Sequence, residues 1–197
     1  MQIRINDLVK TDISDLHKYI EWSQDKEYFL YPFGKEHYKL FAYISTILPP
    51  GSRIFEIGTR WGSSAAAFSR NKDVHVFTCD LEDQLTGSPS IKDIDNVTFM
   101  QCDGLEILEE YINCDLIFID VDPHDSVQEI KMIQNLKDLN FKGILLLDDI
   151  GLNPEMQMVW NSITLPKFDL TKLGHYSGTG IVFFGDQDFS ILHSLEK

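Results

Sequence analysis

The sequence predicts an α/β fold built on a parallel sheet, and three observations lead there. From residue 53 onward, strand-like and helix-like segments alternate. Several strand segments are unbroken apolar runs, such as Leu116-Ile117-Phe118-Ile119 and Ile144-Leu145-Leu146-Leu147. A strand apolar on both faces must be covered on both faces, as in a sheet flanked by helices. Finally, each of the five presumed parallel strands carries an acid at or near its carboxyl end: Glu56, Asp80, Asp103, Asp120 with Asp122, and Asp148 with Asp149.

Residues 1–50 read as a helical, aromatic-rich extension and residues 51–197 as the core of a single domain. A first helix is expected near 14–27. Leu40, Tyr43, Ile44, Ile47 and Leu48 recur at helical spacing, which predicts an amphipathic helix over 35–48, ended by Pro49 and Pro50. Between them, Tyr28-Phe29-Leu30-Tyr31-Pro32-Phe33 reads first as core packing and second as a lid over a pocket. Strands are expected at 53–58, 74–80, 97–103, 115–122 and 143–149. A helix over 126–139 has Ser126 and Glu129 as a capping box, Val127, Ile130, Ile133 and Leu136 as its stripe, and Gly143 beyond its end. Asn153, with Pro154 at the first helical position, opens another helix that runs through Trp160. Two more strands, near 168–175 and 179–185, form an antiparallel pair at the sheet edge.

A chain of 197 residues can bury one sizeable core. Acidic residues outnumber basic ones 31 to 17, a net charge of -14. Such a surface repels phosphate backbones and anionic lipid, so nucleic acid and membranes are poor partners. The N-terminus lacks the apolar stretch of a secretory signal, and no apolar run approaches the roughly 20 residues of a membrane helix. Cys79, Cys102 and Cys114 form no CxxC pair and suit a reducing compartment. A cytoplasmic protein is expected.

The acids are the most informative pattern. In an open α/β sheet, ligands bind outside the carboxyl ends of the strands. Residues 101–150 hold 12 of the 31 acids and only 3 of the 17 basic residues. Helix capping by Asp explains one or two of them, not an acid on every strand. Charges flanking such apolar runs must be solvated or paired. In the first strand–turn–helix, Gly58 and Gly62 let the backbone pass close to a ligand, and Ser63-Ser64 opens the helix. The turn is not the GxGxxG dinucleotide fingerprint. Asp80, 22 residues after Gly58, can take both ribose hydroxyls of a nucleoside.

The string ExGxxxGxS from Glu56 to Ser64, then Asp80, then Cys102-Asp103-Gly104, resembles the class I S-adenosylmethionine-dependent methyltransferases over about residues 40–185. The resemblance implies a Rossmann-like, seven-stranded, mostly parallel sheet with an antiparallel last strand, flanked by helices. It implies that Glu56, Gly58 and Gly62 line the methionine end of the cofactor, with Thr59, Arg60 and Ser63 in the same turn. Asp80 then holds the ribose, Asp103 and Gly104 sit by the adenine, and Asp120 belongs to the same set. An acidic cluster suits a sulfonium and an ammonium.

A narrower resemblance rests on Ile119-Asp120-Val121-Asp122 and on Asp148-Asp149 closing the next strand. It is to the metal-dependent O-methyltransferases, closest to their sugar-modifying branch. It implies Asp120, Asp148 and Asp149 as ligands of a divalent ion and Asp122 as general base. Three carboxylates suit Mg²⁺. Val121-Asp122-Pro123-His124 departs from the family pattern, so Asp122 and His124 both stand as candidate bases. The implied reaction moves a methyl group to a hydroxyl of a sugar or sugar nucleotide. The rivals are a catechol-like acceptor, metal-free N-methylation, and a catalytically silent cofactor-binding domain.

Gly174-His175-Tyr176-Ser177-Gly178-Thr179-Gly180 reads as a turn between edge strands, or as a loop closing over the acceptor with His175 as a catalytic residue facing the metal side. His17, His37, His75 and His193 show no partner pattern and read as surface or core residues. Trp61 reads as packing or as a cover for the cofactor. The aromatic N-terminal segment also reads as an interface between copies of the chain, a homo-oligomer.

Overall fold

The computed structural model describes residues 1–185 and, for the backbone, 190–192. Its elements are β1 (Gln2–Arg4), α1 (Ile5–Val9), α2 (Tyr38–Ile47), β2 (Arg53–Ile57), α3 (Ser63–Phe68), β3 (His75–Asp80), β4 (Val97–Gln101), α4 (Gly104–Ile107), β5 (Leu116–Ile119), α5 (Val127–Asp138), β6 (Ile144–Asp148), α6 (Pro154–Ser162), β7 (Lys167–Asp169), β8 (Thr179–Phe183) and β9 (Ser190–Leu192). Seven strands form one sheet in the order β4-β3-β2-β5-β6-β8-β7. Strands β2 to β6 pair in parallel, and β8 runs antiparallel to both β6 and β7. This is the expected Rossmann-like α/β sheet with its antiparallel last strand. The strand order reverses between β2 and β5, which opens a crevice at their carboxyl ends.

The apolar runs behave as their patterning requires. Every residue of β5 and β6 is buried. Phe118 packs into one layer with Phe41 of α2 and Phe68 of α3; Phe41 stacks on Phe68 and meets Phe118 edge-on, each at 4.7 Å. Ile117 and Leu145 point to the other layer, with Met132, Ile133 and Leu136 of α5 and Met156 and Val159 of α6. Each such side chain contributes about 1.5–3 kcal/mol relative to exposure.

Four expectations are corrected. The segment 14–27 is not one α-helix but two 3₁₀ segments, Ser14–Tyr19 and Gln24–Glu27. The Trp22 indole N–H donates to the Tyr19 carbonyl at 2.9 Å, the acceptor that an α-helix needs for Ser23. The Ser23 N–H goes to Ile20 instead. Second, the extension is not purely helical, since β1 pairs in parallel with β9. Third, Ser126 and Glu129 form no capping box. Ser126 has φ +76° and its side chain makes no cap bond, while Asp125 accepts from the Val127 N–H at 3.0 Å. The helix is turned so that Glu129, Met132, Ile133 and Leu136 face inward and Val127 and Ile130 lie outside. Fourth, the strand near 168–175 is only β7, because Asp169 accepts from the Thr171 N–H at 2.8 Å and turns the chain. The cap at Asn153 is as expected: its Oδ1 accepts from the Met156 N–H at 2.8 Å.

Candidate functional site

A cavity of about 540 Å³ opens at the carboxyl ends of the strands. Its floor begins at the turn after β2. Gly58 has φ +103°, and a Cβ there would lie 1.7 Å from the Asp120 carbonyl oxygen. Only glycine lets this turn lie directly on the end of β5. The Gly58 and Thr59 N–H groups donate to the Cys79 carbonyl, pinning the turn to β3 as well. Thr59, Arg60 and Ser63 line the cavity. Two residues of this motif do not. Gly62 turns the chain at φ +83°, with its open side against Ile91. Glu56 lies wholly buried behind the turn, where its carboxylate accepts from the Thr78 hydroxyl. Burial lifts that carboxyl to about 7. Trp61 also lies outside the cavity wall and packs under the Arg60 guanidinium at 4.3 Å.

Asp80 lines the cavity and accepts from the Arg60 N–H at 2.7 Å and the Glu82 N–H at 3.2 Å. Two of its roughly four lone-pair positions stay available to a ligand. Asp103 lines the wall and caps α4 through the Leu105 N–H at 2.8 Å. Gly104 is also in the wall, and a Cβ there would strike Ile57 and Cys79.

At its other end the cavity holds carboxylates interleaved with imidazoles. His124, at φ +55°, points Nε2 toward Asp149 at 3.3 Å, Asp122 at 3.7 Å and Asp120 at 3.8 Å. Its Nδ1 faces Glu129 at 3.6 Å. His175 points Nδ1 toward Asp149 at 3.5 Å and Asp148 at 3.7 Å, and Nε2 toward Glu36 at 3.6 Å. His37 Nδ1 lies 3.2 Å from Asp148. The Ser177 hydroxyl donates to Asp149. Burial opposes charge on His124, but its carboxylates, Glu129 foremost, outweigh it and lift the ring to about 9. Asp148 and Asp149 likewise lift His175 to about 11. Burial would raise Asp148, but His37 and His175 outweigh that and hold it below the usual range. Burial and then Asp148 push Asp120 well above that range.

The implied ion ligands Asp120, Asp148 and Asp149 border one cavity but are not one coordination group. Among the described residues, the group whose ligand atoms all lie within 4.8 Å of one another is His37, Asp148 and His175. The reason is electrostatic. His124 stands between Asp120 and Asp149, and His175 between Asp148 and Asp149, so imidazolium neutralises charge that the all-oxygen reading leaves for the cation. An all-carboxylate magnesium site therefore does not fit without displacing both rings.

His175 faces Asp148 and Asp149, and Asp122 stands at the cavity mouth with an 81% exposed side chain. His37 is a core residue, one of its two expected placements, but it has the partner that its sequence pattern does not announce, Asp148. Glu36 and Glu129 were missed. His17 meets the Lys26 carbonyl and His75 the Thr98 hydroxyl; His193 lies outside the described residues. The aromatic connector divides: Phe29 is core, whereas Tyr28 lines the cavity. No helix among the described residues is long and apolar enough to cross a membrane.

No protein-family model matches the chain, and no curated protein sequence does. Solved structures are similar to it. A methyltransferase from Geobacter sulfurreducens aligns with a TM-score of 0.65 at 15% identity, over 91% of this chain and 95% of its own. A Staphylococcus aureus protein described as a caffeoyl-CoA O-methyltransferase gives 0.62 at 19% identity, over 92% and 97%. The Podospora anserina methyltransferase PaMTH1, bound to S-adenosylhomocysteine, gives 0.61 at 17% identity, over 88% of each chain. At these identities the likeness is one of fold, and the chain has the Rossmann-like fold of these methyltransferases.

Proposed function

We propose that the chain is an S-adenosylmethionine-dependent methyltransferase that methylates a hydroxyl of a sugar or sugar nucleotide. The observation that carries this reading is one continuous cavity joining the Gly58, Asp80 and Asp103 wall to the Asp149, His124 and His175 cluster. The adenine lies by Asp103 and Gly104, the ribose on the open lone pairs of Asp80, and the methionine along residues 58–63. Asp120, on which the Gly58 turn lies, would border the sulfonium. A cavity this acidic favours a ligand carrying a sulfonium and an ammonium.

His124 takes the proton from the acceptor hydroxyl. Its neighbours hold it protonated in the free chain. A sulfonium bound beside the ring would add a like charge that lowers its hold on that proton, which would pass to solvent at the cavity mouth and leave Nε2 as the base. Glu129 beneath the ring and Asp122 at the mouth keep it oriented. In-line approach to the methyl carbon is then a matter of positioning. Tyr28, Tyr38 and Tyr176 also line the cavity, which with the caffeoyl-CoA O-methyltransferase likeness makes a catechol-bearing acceptor the second reading.

The test is calorimetric titration with S-adenosylhomocysteine, followed by an acceptor panel of sugars, sugar nucleotides, catechols and amines. With S-adenosylmethionine as methyl donor, S-adenosylhomocysteine released per acceptor methylated is the readout. His124→Gln is expected to lower turnover at least about 100-fold with cofactor affinity unchanged. A chain that ignores the cofactor, or binds it and turns over no acceptor, sinks the proposal.

A further inference from the structure

We propose that His37, Asp148 and His175 form a site for a first-row transition-metal dication of the zinc and cobalt(II) class. Their ligand atoms lie within 4.8 Å of one another and come from three distant segments: the residue before α2, the end of β6, and the loop between β7 and β8. Donors around a tetrahedral ion at about 2.1 Å stand about 3.4 Å apart, so side-chain movements of about an ångström close the group.

Both imidazoles are already held. His37 is buried, stacks on Phe41 at 4.3 Å and meets Phe118 edge-on at 5.9 Å, with Nδ1 aimed at Asp148. A ring fixed on two aromatic faces cannot swing away from that carboxylate without opening the core. His175 has acids on both sides: Nδ1 faces Asp148, and Nε2 faces Glu36. A carboxylate behind an imidazole that presents its other nitrogen to a ligand carboxylate is the arrangement that orients metal-binding histidines. Ser177 Oγ lies 2.7 Å from His175 Nδ1 and bonds Asp149, so the ion replaces the proton now shared with Ser177. Two nitrogens and one oxygen suit a borderline ion far better than magnesium, which demands oxygen. Three protein ligands leave positions open on the cavity side.

The site stands without the methyl-transfer reading, and its test does not use activity. The full chain, stripped with chelator and confirmed folded by circular dichroism, is titrated with Co²⁺ and followed by visible d–d absorption. One Co²⁺ per chain is expected, displaced by equimolar Zn²⁺ and not by about 100-fold excess Mg²⁺. His37→Gln and His175→Gln each weaken Co²⁺ binding at least about tenfold, and Asp120→Asn leaves it unchanged. If His37→Gln does not fold, His175→Gln decides. A folded chain that takes up no Co²⁺ overturns the proposal. So does displacement by Mg²⁺, or loss in Asp120→Asn with retention in the histidine variants. Co²⁺ uptake without S-adenosylhomocysteine binding overturns the methyltransferase reading alone.

Discussion

Replacing Glu56 by Gln isolates the cost of a buried carboxyl behind the cofactor turn. Glu56 sits in β2 between Thr78 and Phe118 of the neighbouring strands. One carboxyl oxygen accepts from Thr78, and the other has the Ser64 hydroxyl as its polar neighbour but no well-formed hydrogen bond among the described residues. Burial raises the group from 4.5 to about 7. At 1.36 kcal/mol per pKa unit, that is about 3 kcal/mol. The folded chain holds this proton more tightly than the unfolded one. The stabilisation is therefore whole below about pH 4.5 and is lost as pH rises through about 7. Gln carries no such dependence. It keeps the Thr78 bond but sets an amide N–H where the unpartnered oxygen lies, at about 1–3 kcal/mol for every pH. The diagnostic is thus the change in the stability gap, measured from urea midpoints of both proteins at pH 5, 6, 7 and 8 without ligand. Between pH 5 and pH 8 the gap should move toward the Gln variant by about 2.5 kcal/mol, a relative midpoint shift of about 1.2 M for a slope near 2 kcal/mol/M. A gap constant across this range refutes the reasoning, because the carboxyl would then be equally ionised in both states.

Two further substitutions probe the frame of the site. Gly58→Ala drives a Cβ into the Asp120 carbonyl, whereas Gly51→Ala, also at positive φ, meets nothing within 4 Å. Gly51→Ala should cost only strain, about 1–3 kcal/mol, and spare S-adenosylhomocysteine binding, while Gly58→Ala should abolish it; equal titration curves would refute the close-approach argument. Asn153→Ala removes the α6 cap and a 2.9 Å bond to the His124 carbonyl. It should cost about 1 kcal/mol by thermal melting and lower turnover, and Asn153→Ser, which keeps a capping oxygen without the reach to His124, should restore the stability without the turnover; recovery of both would show that the bond to His124 does not matter.

The sheet was legible because parallel strands are covered on both faces. Leu116–Ile119 and Ile144–Asp148 have nowhere to place a polar side chain before their ends. The strand ends were overread for the same reason that makes them interesting: Asp103, Asp120 and Asp122 follow their strands as loop residues rather than close them as ladder residues. The N-terminal third was harder. Its 3₁₀ turns hinge on one indole bond, and β1 has a partner nearly the whole chain away. The spacing from Ser126 to Glu129 matches a cap, yet the same spacing places Glu129 on the inner face of α5, beneath His124.

The acids of the site could be read singly, each from its own strand, but their partners could not. His37 lies 111 residues from Asp148 in a segment whose pattern announces only a helix. Electroneutrality was the available signal. Buried carboxylates beside apolar strands require cations, and residues 101–150 offer three lysines, none of which lines the cavity. Arg60 serves the other end of the cavity, and at these acids the structure brings in imidazole, three of the six histidines: His37, His124 and His175. The two clusters they form differ in kind. His124 sits among four carboxylates that touch it from both nitrogens, which makes it a group to hold and release a proton. His37 and His175 converge on the single carboxylate of Asp148, which makes that end a place where one cation can replace a shared proton.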